Sequence, residues 1–140
     1  MQPSPAIVSP PEQRRLLDAA REALPHAYAP YSQFPVGAAV LTAAGGTYRG
    51  CNVENASYGL GMCAERAAIF SAVAAEGAGM RLRAVAVVAA RPDVTCTPCG
   101  ACRQVIAEFG TDAVVCFLRS GQPATMTAGE LLPLSFTLRE

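Results

Sequence analysis

Residues 59–90 read GLGMCAERAAIFSAVAAEGAGMRLRAVAVVAA, and the character of the chain changes once within them. The first part is an alanine-rich run with glycines on both sides, which predicts a helix from Cys63 to Glu76 stopped by Gly77. The second part, RLRAVAVVAA, is a short apolar run of strand length, the pattern of a strand buried on both faces. A helix that passes directly into a buried strand is a unit of an α/β sheet.

Working outward, the same pair repeats downstream. PCGACRQVIAEFG (98–110) predicts a helix with Pro98 in its first turn and Gly110 at its end, and AVVCFL (113–118) is another buried strand. Upstream, VGAAVLTA and TYRGCNVE flank Gly45-Gly46 and look like a hairpin. Before it, Leu16, Leu17, Ala20, Ala23 and Leu24 recur at helical spacing from Glu12 until Pro25 interrupts. PATMTAGELLPLSF (123–136) suggests an edge strand and a helical turn. The expectation is an α/β fold of three α/β/α layers around a mixed, roughly five-stranded sheet. Residues 1–11, rich in proline, are expected to form a loose tail, and 12–140 a single domain.

Composition narrows the chemistry. All basic residues are arginine, spread from Arg14 to Arg139 without a run, and the formal charge is balanced. That argues against a nucleic-acid surface, and the absence of lysine removes Schiff-base chemistry and a Walker-type phosphate site. The N-terminus has neither a basic start nor a sustained apolar stretch, so no secretory signal is expected. No apolar segment has the length of a bilayer span, so no membrane association is expected. Six cysteines in such a chain are expected as thiols or metal ligands in the cytoplasm rather than as a disulfide framework.

TCTPCGACRQ (95–104) contains two overlapping CxxC pairs, Cys96 with Cys99 and Cys99 with Cys102. A CxxC at a helix start places both sulfurs beside unpaired N–H groups that favour thiolates, and Cys99 with Cys102 satisfies that placement better. Cys63 also stands at a helix start, with Glu65 two residues on. If both helix starts lie at one end of the sheet, Cys63, Cys99 and Cys102 can share a tetrahedral zinc whose fourth position stays open, as a catalytic zinc requires. Glu65 would then be near enough to handle protons of a bound water. Two other readings stay open at this point: a redox dithiol, and a closed structural site completed by Cys96. Cys51 and Cys116 fall in apolar strands and are expected in the core. His26, the only histidine, is expected at a helix end.

Cys63-Ala64-Glu65 followed by Pro98-Cys99-Gly100-Ala101-Cys102 resembles the zinc nucleoside and nucleobase deaminase signature in its all-cysteine form. YSQFPVGAAV, GCNVENASYGLGMCAERAAI, CGACRQVIAEFG and ELLPLSF resemble the small homotetrameric cytidine deaminases almost from end to end. The resemblance implies that fold, one Zn2+ per subunit on Cys63, Cys99 and Cys102, and hydrolytic deamination of cytidine and deoxycytidine with release of ammonia. It implies that Glu65 is the catalytic acid and base and that Arg66 donates hydrogen bonds to the zinc-bound sulfurs. It further implies that Asn52 and Glu54 bind the ribose hydroxyls, that Phe34 packs on the base, and that Phe136 reaches a neighbouring subunit's site. The N–H of Ala64, at a helix start, suits the pyrimidine O2. Cys96 has no place in that pattern and is expected to be a bystander. A cytosine-containing antibiotic such as blasticidin S is the nearest rival substrate.

Overall fold

A computed structural model describes residues 8–138. The chain runs α1 (Pro10–Ala23), β1 (Val36–Thr42), β2 (Thr47–Cys51), α2 (Ala64–Glu76), β3 (Leu82–Ala89), α3 (Gly100–Phe109), β4 (Val114–Arg119), β5 (Gln122–Thr127) and α4 (Ala128–Leu131). The five strands form one sheet in the order β2-β1-β3-β4-β5. Only β3 and β4 are parallel, and the remaining neighbours are antiparallel, so the sheet is mixed as expected.

The layers follow from the two-residue alternation of the strands. Val40, Val85, Val87, Val115 and Phe117 face Ala64, Ala68, Ile69 and Ala72 of α2 and Ile106 of α3. Ala39, Ala84, Ala86, Val88 and Cys116 face Leu16, Leu17 and Ala20 of α1 on the other side. Small residues on that side let α1 approach closely. A Cβ at Gly37 would lie 2.1 Å from the Ala20 carbonyl oxygen, so only glycine fits under the crossing.

Three helix starts differ from those expected. The first helix starts at Pro10 rather than Glu12, because Ser9 and Glu12 form a reciprocal capping box that tolerates proline in the first turn. Val8 is buried beneath it, so the expected tail to Pro11 is shortened, and residues 1–7 lie outside the described residues. The second correction concerns Pro98, which stands outside α3: Cys99 is the extended N-cap residue and Gly100 begins the helix. Cys63 is likewise the N-cap of α2, one residue before the expected helix becomes regular.

Topology gathers the site. β3 and β4 are parallel and α3 connects them, so α3 begins beyond the C-terminal end of β3. α2 packs on the same face and leads into the start of β3, so it too begins at that end. β1 runs against β3 with Val36 opposite Ala89, and Cys51 at the end of β2 lies opposite Gly37. The starts of α2 and α3, the start of β1 and the residues after β2 therefore meet at one edge of the sheet.

Candidate active site

Serine, threonine, aspartate or asparagine usually caps a helix, because the side-chain oxygen accepts a free backbone N–H. At α2 and α3 the capping residue is Cys63 or Cys99, and neither sulfur makes a capping bond. Both are left to point elsewhere. Cys102 stands in the first turn of α3 and is fully buried. The sulfurs of Cys63, Cys99 and Cys102 all lie within 4.8 Å of one another, with Cys63 and Cys99 3.9 Å apart. Tetrahedral zinc with Zn–S bonds of about 2.3 Å separates its sulfurs by about 3.8 Å, so the cluster fits that ion.

The electrostatics favour thiolate. The hydrogen bond from Cys102, followed by those from Arg66 and Cys99, holds the Cys63 thiol well below the ordinary range despite partial burial. Cys102 is pushed the other way, mainly because it supplies that hydrogen bond and because it is buried. A divalent cation among the three sulfurs would favour the deprotonated form of both. Arg66 Nη2 donates to Cys63 Sγ at 3.2 Å, and this bond holds the guanidinium still more firmly protonated. Three thiolates on a divalent ion carry a net negative charge, which an arginine against the sulfur offsets. The Arg66 Nε is buried without a partner, so the sulfurs, rather than a full set of hydrogen bonds, fix this side chain.

Glu65 is the other unusual group. It is 4% exposed, in the first turn of an otherwise apolar helix face. Burial first, and the negative charge of Cys63 second, push its carboxyl up to about 7 against the opposing pull of its own backbone N–H and of Arg66. No other described residue hydrogen-bonds it. A buried acid near neutrality and facing a cleft is suited to taking and giving protons.

That cleft is lined by Val36, Asn52, Cys63, Ala64, Glu65, Cys96, Thr97 and Cys99. Five of the expected residues therefore meet there, and Cys102 and Arg66 join through the sulfurs. Asn52 is committed to the backbone: its Oδ1 accepts from Val36 N–H at 2.8 Å and its Nδ2 donates to the Phe34 carbonyl at 2.9 Å. One N–H of its amide remains free for another acceptor. Glu54 and Phe34 lie outside this cleft. Glu54 lines a second one with Tyr31, Ser32, Asn55, Tyr58 and Gly61. Its Oε1 accepts from the backbone N–H groups of Tyr31 and Ser32, and its Oε2 from the Ser32 hydroxyl. These bonds, the Ser32 hydroxyl first, hold its carboxyl below the usual range. Phe136 is 71% exposed and lies in a separate groove with Ala107, Glu108 and Thr111, so within one chain it does not share the cleft.

Arg103 and Gly50 position the site in ways that spacing along the chain does not show. Arg103 Nε donates to the Pro98 carbonyl at 2.7 Å, its Nη2 to Thr97 Oγ1 and its Nη1 to the Leu131 carbonyl, so it clamps the loop that carries Cys99. Its place directly after Cys102 was the available signal. Gly50 seats α2: a Cβ there would lie 2.5 Å from both the Ala64 carbonyl oxygen and the Ala68 nitrogen. Cys96, expected to be a bystander, lines the cleft. Burial, then the charges of Glu65 and Cys63, push its thiol up to about 11.

Comparison with known proteins agrees with this geometry. The family model for the cytidine and deoxycytidylate deaminase zinc-binding region matches residues 10–118. Cytidine deaminase of Halalkalibacterium halodurans is 45% identical over 134 residues, covering 92% of this chain and 97% of the relative. That of Sporosarcina psychrophila is 42% identical over 125 residues, covering 88% and 90%. The crystal structure of cytidine deaminase from Burkholderia pseudomallei superposes with a TM-score of 0.80 at 48% identity, covering 88% of this chain and 98% of that one. The corresponding structure from Mycobacterium tuberculosis gives 0.78 at 41% identity, covering 89% and 97%. With the sulfur cluster, the buried acid and the match across most of its length, the chain belongs to the zinc-dependent cytidine and deoxycytidylate deaminase family.

Proposed function

We propose that this enzyme hydrolyses the 4-amino group of free cytidine and deoxycytidine, producing uridine or deoxyuridine and ammonia. The observation that carries the reading is the buried Glu65, hydrogen-bonded by no other described residue, on a cleft shared with two of three converging sulfurs. Cys63, Cys99 and Cys102 would hold the zinc, one per subunit, and the ion supplies the Lewis acidity that makes water a competent nucleophile near neutral pH.

Glu65 does the proton work. As an anion it accepts a proton from the water attacking C4 and passes it to N3 of the ring. It then carries a second proton to the departing amine, and ammonia leaves. A carboxyl near pH 7 is accessible in both forms, so neither transfer is steeply uphill. The N–H of Ala64 in the first turn of α2 is placed for the pyrimidine O2, in the field of the helix start. The free N–H of Asn52 and the carboxylate of Glu54 are assigned to the ribose hydroxyls. Arg66 tempers the charge on the sulfurs. Phe34 is assigned to the face of the base, and exposed Phe136 to the site of a neighbouring subunit in a homotetramer, as the family resemblance implies. Residues 8–138 form one catalytic domain acting in the cytoplasm, where the three thiols stay reduced. Among the described residues no helix is long and apolar enough to cross a membrane. The absence of a lysine or arginine run suits a nucleoside better than a nucleic acid.

The test is to mix zinc-loaded protein with cytidine and follow ammonia release and the ultraviolet change to uridine, with and without a chelator. Chelator-sensitive conversion is expected. No conversion by protein shown to contain zinc overturns the substrate assignment.

A further inference from the structure

Cys96 lines the cleft beside Glu65, Val36 and Thr97, yet it is not one of the sulfurs that converge as a ligand set. Its half-buried side chain packs against the main core of the sheet. The loop behind it is clamped at Thr97 and Pro98 by Arg103. Core packing and the clamp together make Cys96 a fixed wall rather than a mobile flap. On the same cleft, Glu65 is almost fully buried and hydrogen-bonded by no other described residue, so its carboxyl is available to a ligand. A ring edge that reaches Glu65 enters the space that Cys96 helps to bound.

The cleft is also narrow. It encloses about 170 Å³, against roughly 300–1,000 Å³ for ordinary small-molecule pockets. In so small a space one extra heavy atom on a rigid wall is felt, because the surrounding packing cannot give way.

We propose that Cys96 is a specificity-determining residue: its side chain bounds the space beside the reacting edge of the pyrimidine and sets how large a substituent on N4 or C5 the enzyme accepts. The inference rests on the deaminase reading and deepens it at one position. Size is the operative property, since cysteine behaves in a packed wall as a small hydrophobe.

The experiment compares kcat/KM for cytidine, N4-methylcytidine, 5-methylcytidine and deoxycytidine in zinc-loaded wild type, C96A, C96S and C96V, with zinc content measured for each. A methylene in an apolar pocket is worth about 10–200-fold in discrimination. C96A is expected to raise the ratio of methylated to parent substrate about tenfold, and C96V to lower it comparably. C96S, of similar size, is expected to leave that ratio within about twofold of wild type. The deoxycytidine-to-cytidine ratio, which reads the far end of the molecule, is expected to stay constant. Methylated-to-parent ratios that do not change in C96A and C96V overturn the proposal while leaving the deaminase reading intact. Wild type inert to all four nucleosides overturns both. Zinc lost from C96A and C96S alike would make Cys96 a ligand and also overturn the proposal. If C96V does not fold, the contrast between C96A and C96S decides.

Discussion

Glu65 and Glu76 occupy opposite ends of the same helix, α2, and have opposite fates. Glu76 is fully engaged: its Oε2 accepts from the Thr42 hydroxyl and the Tyr48 phenol, both at 2.9 Å, and ties the helix end to the β1–β2 hairpin. The Tyr48 phenol is raised by that bond in turn. Glu65 is more deeply buried and receives no such bond from its neighbours. The two ends follow different rules for a buried polar group. A carboxylate bonded to side chains of other elements ties those elements together, whereas one that no neighbouring residue engages stays available to a ligand. The N-caps make the same contrast: Ser9 caps α1 with its own side chain, and Cys63 and Cys99 withhold theirs.

Substitutions at the two ends of α2 should separate turnover from stability. The largest effect is expected for Glu65→Gln, which keeps the shape and removes the proton carrier: kcat falls at least about 10²–10⁴-fold, while elemental analysis still finds zinc. Unchanged turnover would remove Glu65 from the mechanism. Gly50→Ala comes next, because the new Cβ strikes backbone atoms of α2 on both sides. Overpacking of this kind costs about 1–3 kcal/mol, and it also displaces the turn bearing Glu65, so both the urea midpoint and kcat should drop. At the other end, Glu76→Ala leaves the buried Thr42 hydroxyl without its acceptor. A loss of about 1–3 kcal/mol is expected by urea unfolding, with kcat at 25 °C within about twofold of wild type. A large fall in kcat there would mean the two ends are coupled.

The smallest effect concerns Glu54. Its folded carboxyl lies below its ordinary value of 4.5, so its contribution to stability is present above that pH and lost as pH falls through the folded value. Glu54→Gln should therefore flatten the acid limb of the stability profile and leave the profile above about pH 5 unchanged. Equal steepness in both proteins would mean that the bonds from Tyr31 and Ser32 do not act on the carboxylate.

Periodicity and punctuation revealed most of the fold. The alanine run before RLRAVAVVAA, the second helix-strand pair and the Gly45-Gly46 turn each appear at nearly the residues expected. Helix starts were harder. The Ser9–Glu12 box was overlooked because Pro10 and Pro11 suggested a tail, and Pro98 was drawn into α3 because proline suits a first turn. The CxE and CxxC spacings single out Cys63, Glu65, Cys99 and Cys102 as candidates, and the family resemblance joins them into one site. Cys96 stands outside the sulfur cluster as expected, but its place on the cleft wall, like the roles of Arg103 and Gly50, depends on neighbours distant in sequence: a core packed behind, a loop to clamp, a helix pressing from above.

Which residues start helices, which are buried in strands and which are candidates to bind a metal or carry protons was determined by local order along the chain, since those properties depend on spacings of a few residues. That Cys63 meets Cys99 and Cys102 was decided only by tertiary structure. It requires β3 and β4 to run parallel and α2 and α3 to share one face, so that both helices begin at the same edge of the sheet. The burial that lifts the Glu65 carboxyl belongs to the same level, because no spacing along the chain encodes how far a side chain lies from water.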